Sequence, residues 1–324
     1  MPSQPSRQSS APVARRFWVA WLERFRPSRF QLVLPRKAPV APAHAPAAPA
    51  APGEAAQARR KPSSRLQGVF TVRAFKVGQC ELPGPVVFRM SGPDDWHLLY
   101  FYTVVIQGSG RTLVLNPGLP DDLSAINGEW TAIAGERCRI RRTEDERTDA
   151  VLERIGIAPA RVDFVLLTPF KTYALGDLDM FPNATICLSQ RGWTEQYLAR
   201  RYPLPEPDPL AIPAEIFDRL QRGVPNPVKL LRDDDEIVPG VRAFWVGVRD
   251  RSSMAYAVNT TRGTIILSDC CFKYENIEQL QPTGIADSLE DCLTAYTRIR
   301  SEASTVVPLY DPAVLERFPD GRVG

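Results

Sequence analysis

Side chains able to do chemistry are scarce in this chain. It holds two histidines, His44 and His97. A zinc centre draws three or four ligands from His, Cys, Asp and Glu, so two histidines cannot build a histidine-rich one. The six cysteines, Cys80, Cys138, Cys187, Cys270, Cys271 and Cys292, form no CxxC and take no zinc-finger spacing with histidine. They read as reduced, buried, small apolar residues. Ser252 and Ser253 have no visible Ser-His-Asp context, and no GxSxG elbow occurs. A phosphate-cradling GxxxxGK[ST] loop is also absent. His44 falls in a linker and reads as solvated. His97 begins a strand and reads as structural before catalytic.

The elements that must position any site alternate strands with helices. Strands are expected at 69–76, 97–106, 112–118, 161–168 and 184–189, then at 241–248, 254–260, 263–269 and 304–311. Helices are expected at 147–156, 193–202, 213–223 and 288–303, with Gly156 and Gly223 as stops. This order argues for a layered α/β body, two sheets face to face with helices outside.

Charge is unevenly spread. Residues 1–65 hold twelve Lys and Arg against Glu23 and Glu54, a net +10, whereas the remainder carries −7. A basic tail on an acidic body is an interaction-tail pattern, and the body gives no electrostatic reason to expect nucleic acid. Residues 38–58 are an Ala/Pro linker. Residues 13–26, VARRFWVAWLERFR, place Phe17, Trp21 and Phe25 on one stripe of a basic amphipathic helix. That helix suits peripheral docking on an anionic membrane or in a partner groove. A bare tail, packing on its own domain, and an organelle transit peptide stay open beside it. Runs of about 18 uncharged apolar residues are missing, so no membrane-spanning helix is expected; the expected location is cytoplasmic. The domain boundaries are therefore 1–65 for a flexible extension and 66–324 for the folded body.

Four segments over residues 69–324 resemble the metallo-β-lactamase superfamily, in its N-acyl-homoserine-lactone lactonase-like branch. TLVLNPGLP resembles the motif of a strand ending in Asp-Thr-Gly. DFVLLTPFKTYALGDLDMFPNATICLSQRGW resembles the segment that carries Thr-His-x-His-x-Asp-His. GTIILSDCCFKYENIEQLQPTGI resembles the strand ending in the metal-bridging Asp, and STVVPLYDPAVLERFPDG resembles the terminal Pro-Gly-His-Asp-Pro motif. The resemblance implies an αββα sandwich, α+β in class, with two mixed sheets.

It also implies two zinc ions held by histidines and carboxylates, which polarise a carbonyl and supply hydroxide. Carried over residue by residue, the ligand set fails. Aligned on Thr168, the first histidine falls on Pro169 and the second on Lys171; the ligand aspartate falls on Tyr173 and the next histidine on Ala174. The third-motif histidine falls near Val248 or Arg249, and the final one on Tyr310. Asp269 survives at the bridging position, and Asp311 survives beside a lost ligand. Asn116 stands for the first-motif aspartate, and Phe272 for the tyrosine that contacts substrate in the lactonase branch.

Several readings follow. Lys171 either replaces the lost metal charge and pairs with Asp269, or both are solvated in an open cleft. Cys270 and Cys271 read as filler before nucleophile. Tyr173, Tyr310 and Phe272 either fill the old metal cavity or line a pocket for an apolar ligand. No zinc or other cofactor is expected. The functional reading is a lactonase-like pseudoenzyme that binds an unidentified ligand or protein partner. The alternatives are a hydrolase with altered chemistry around Asp269 and Lys171, and an interaction module tethered by the basic helix.

Overall fold

The structure, a computed structural model, describes residues 68–202, 210–248 and 250–324. The extension 1–65, its stretch 13–26 and His44 lie outside the described residues, as does Arg249.

Eleven strands are described in two sheets. The first is β1 (Phe70–Pro83), β2 (Trp96–Gly108), β3 (Arg111–Leu115), β4 (Phe164–Leu166), β5 (Thr185–Ser189) and β6 (Val228–Leu231), in that order. Its first three strands are antiparallel and its last four parallel. The second contains β7 (Asp234–Val238), β8 (Val241–Trp245), β9 (Met254–Thr260), β10 (Gly263–Ser268) and β11 (Thr305–Pro308), in the order β11-β10-β9-β8-β7. Here only β10 and β11 run parallel. Both sheets are therefore mixed.

Residue alternation builds the layers, because neighbouring strand residues face opposite sides. Leu113 and Leu115 of β3 join Tyr256, Val258 and Leu267 in one core. Val114, between the two leucines, joins a second core with Leu152, Phe217 and Leu220. On the far side, Phe244, Ala257 and Ile266 pack with Cys292, Tyr296 and Ile299. The result is helix, sheet, sheet, helix, as the sequence implied.

The helices are α1 (Gly84–Val87), α2 (Ser124–Ala134), α3 (Thr148–Arg154), α4 (Thr172–Leu175), α5 (Gln190–Arg201), α6 (Ala214–Arg222), α7 (Tyr274–Glu278), α8 (Leu289–Glu302) and α9 (Ala313–Arg317). Ser189 and Ser288 cap α5 and α8 by accepting from the Gly192 and Asp291 N–H groups. Left-handed Gly223, φ 63°, ends α6. Four expected strands end early: 112–118 stops at Leu115, 161–168 narrows to Phe164–Leu166, 241–248 stops at Trp245, and 304–311 stops at Pro308, whose nitrogen cannot donate to a ladder. Seven of the elements named here were not expected from sequence: the helices α1, α2, α4, α7 and α9 and the strands β6 and β7. No described helix is long and apolar enough to cross a membrane.

Candidate functional site

The parallel strands β3, β4, β10 and β11 deliver Asn116, Thr168, Asp269 and the Tyr310–Asp311 pair just past their C-terminal ends. Thr168 is the hub. Its N–H donates to Asn116 Oδ1 at 2.8 Å, and Asn116 Nδ2 donates back to Thr168 O at 2.6 Å. Asn116 sits at φ 50°, a left-handed conformation that asparagine tolerates. The Thr168 hydroxyl accepts from the Met254 N–H at 2.8 Å and donates to Asp269 Oδ1. Ser253 Oγ donates to Asp269 Oδ2 at 2.6 Å. Thr168, Ser253 and Asp269 are all fully buried. One carboxylate thus ties the end of β4 in the first sheet to β9 and β10 in the second.

Lys171 forms a salt bridge with Asp250 at 2.7 Å, with side chains 14% and 12% exposed. The expectation that it stands solvated in an open cleft is corrected: a partner and burial hold it. Asp250 also accepts from the Ser252 hydroxyl and, at 2.8 Å, from the Ser252 N–H. Ser252 Oγ in turn accepts from the Phe170 N–H at 2.8 Å. Glu195 and Asp287 lie in the field of this pair while keeping exposed surface. Partial desolvation, then the Asp250 charge, pushes both carboxyls above the usual range, and Lys171 pulls them back.

The aromatic residues at positions that the resemblance aligns with metal ligands are buried. Tyr173 contacts Phe101 and Trp130 at centroid distances of 5.9 and 5.8 Å. Tyr310 contacts Phe101 at 6.0 Å and Phe272 at 5.6 Å. Pro169 and Ala174 are buried as well. Val248 is 2% exposed with φ 32°. Among the described residues, no three His, Cys, Asp or Glu side chains group as a metal site.

The segments around Asp311 and Asn276 are held by their own bonds. Asp311 Oδ2 accepts from the Tyr274 N–H at 2.8 Å, and Oδ1 meets Lys273 Nζ at 3.3 Å. Buried Asn276 accepts from the Phe272 and Lys273 N–H groups and donates to Val87 O and Gln281 O. His97 lies edge-on to Phe88 at 5.2 Å. Burial, then the Lys273 charge, lowers its pKa, which suits a neutral packing residue.

The cysteines are free and buried. Burial pushes Cys138 and Cys187 up to about 12 and raises Cys80, Cys271 and Cys292 as well. This is the opposite of nucleophile activation. With Ellman's reagent at pH 8, the folded protein is expected to react over about 100-fold more slowly than the unfolded chain. A single fast thiol at Cys270 or Cys271 would contradict the filler reading.

No family model matches the sequence, and no curated protein matches it. Solved structures do. An N-acyl homoserine lactone hydrolase with N-hexanoyl-L-homoserine bound at its catalytic metal centre superposes with TM-score 0.64 and 17% identity, covering 79% of this chain and 99% of that one. A dizinc quorum-quenching lactonase gives 0.53 and 11%, over 75% and 88% of the two chains. A probable metal-dependent hydrolase from Staphylococcus aureus gives 0.58 and 14%, over 75% and 89%.

The chain has the metallo-β-lactamase fold. Within this fold the sequence marked Asp269 as a site residue but not the groups that hold it. Thr168 served only as an alignment anchor, and Ser253 was noted only for lacking a triad. Asp250, the partner of Lys171, carried no local signal: it lies 79 residues away on another loop.

Proposed function

We propose that this chain is a lactonase-like member of the metallo-β-lactamase fold that has given up zinc hydrolysis and acts as a non-catalytic binding or regulatory protein. The observation that carries the reading is the burial of Asp269, with hydroxyls from Thr168 and Ser253 on its two oxygens. Those lone pairs are what a bridging carboxylate would offer to metal. At the remaining ligand positions, Pro169 and Ala174 have no side-chain donor atom. Lys171 is a cation already engaged with Asp250. Tyr173 and Tyr310 are packed among rings. This donor set does not fit two zinc ions, which want three or four imidazole, thiolate or carboxylate ligands each. It favours an aromatic plug over an open metal cavity.

Elemental analysis of full-length protein purified from zinc-supplemented culture tests this. The expected content is below about one-tenth of a zinc per chain, given so few donors, with no lactone hydrolysis. Two tightly bound zinc ions with lactone turnover would sink the reading. Zinc-independent turnover abolished by Lys171→Ala would favour the altered hydrolase instead.

A further inference from the structure

Helix α5 buries one face, and its other face carries exposed side chains. Gly192 and Gln196 are buried. A Cβ on Gly192 would fall 2.2 Å from the Ser252 Cβ, so this face is tightly seated. The opposite side carries Leu198 at 48% exposure and, just past the helix end, Tyr202 at 68%, with Tyr197 at 46% roughly a quarter-turn round. Large apolar side chains gathered on one exposed surface mark an interaction site. The face borders an open groove of about 720 Å³ that reaches Asp233 and Arg251.

Glu195 and Arg201 lie three residues to either side of Leu198, so helical spacing places both beside it. Both are exposed, and neither has a salt-bridge partner among the described residues. We propose that this face binds a second copy of the chain, the two α5 helices packing antiparallel about a two-fold axis beside Leu198. Such an axis brings positions equidistant from Leu198 level with each other across the interface. Each Glu195 comes level with the other copy's Arg201, and each Thr194 with the other copy's Tyr202. The two Leu198 side chains meet at the centre. A parallel pairing would set Glu195 against Glu195 and Arg201 against Arg201, so the charges select the antiparallel arrangement. Within one copy, partial desolvation and then Asp250 raise the Glu195 carboxyl while Lys171 and Arg251 lower it; a guanidinium from the second copy would add to the lowering.

Sedimentation velocity on the full-length protein, from about 1 to 100 µM, tests the proposal. A reversible dimer is expected. Glu195→Arg or Arg201→Glu alone should weaken it about tenfold or more, since each change turns two symmetric attractions into repulsions. The double exchange, Glu195→Arg with Arg201→Glu, should restore dimerisation to within a few-fold. All three variants change exposed positions, and an unaltered thermal midpoint confirms their folding. A protein monomeric throughout the range overturns the proposal and leaves the face to a different partner. A dimer indifferent to both single reversals, or a double exchange that fails to recover, overturns α5 as the interface.

Discussion

Asp269→Ala is expected to cost about 4 kcal/mol of folding stability, because it strips a buried network of its central acceptor. Asp269 has no exposed surface, and its two oxygens take hydroxyls from opposite sheets, Thr168 after β4 and Ser253 before β9. Alanine would leave both hydroxyls in a dry interior without that acceptor, and it would leave a small cavity. Asp269→Asn should cost less, because the amide oxygen still accepts one hydroxyl and the other can reorient. Urea unfolding of the three proteins measures this as a falling midpoint, largest for alanine. A metal ligand behaves differently: its loss lowers bound metal first. An unchanged midpoint in Asp269→Ala would show that the carboxylate does not clasp the sheets.

The contrast between a ligand and a clasp also explains what could be read from sequence. Segments whose pattern is local were legible. MAYAVNT and GTIILS became β9 and β10, and the run beginning at Ser288 became a capped α8. The strands β6 and β7 were not legible, for one physical reason. Both are sheet edges, and their segments, VKLL and DDEIV, carry the charge that edges use to discourage further pairing. Charge there masks strand propensity. Helix α2 was hidden by Gly128 at its centre, a poor helix former. In the site, Asp269 was legible only through the resemblance, which sets a bridging carboxylate at the end of the segment GTIILSD. Its partner Thr168 lies 101 residues earlier, and no periodicity encodes contact at that separation. The aromatic residues were identified one by one; their packing around Phe101 and Trp130 emerged only from the fold.

Asn116 gives the second large effect, and it separates the residue type that the resemblance implies from the one that fits this site. Asn116→Asp restores the residue type that the first motif of the resembled family carries. It is nevertheless expected to destabilise this chain by about 3 kcal/mol at pH 7, because it aims a carboxylate oxygen at a carbonyl oxygen inside a buried pair. Asn116 both accepts from the Thr168 N–H and donates to Thr168 O, at 2.8 and 2.6 Å. A carboxylate can do only the first. A protonated carboxyl can do both, so the folded state should hold the new acid's pKa above its unfolded value near 3.9. Linkage then fixes the sign. With the folded pKa raised, the deficit relative to the native protein is greatest at neutral pH. It shrinks as pH falls through the folded pKa and is smallest below the unfolded one. Urea midpoints of the two proteins from pH 7 down to about 4, a span set by the same linkage, should converge toward the acid end. A deficit that stays constant over that range would mean that the Asn116 amide does not donate to Thr168 O. A variant as stable as the native chain at pH 7 would mean that an aspartate still fits here and that the site does not depend on the Asn116–Thr168 pair.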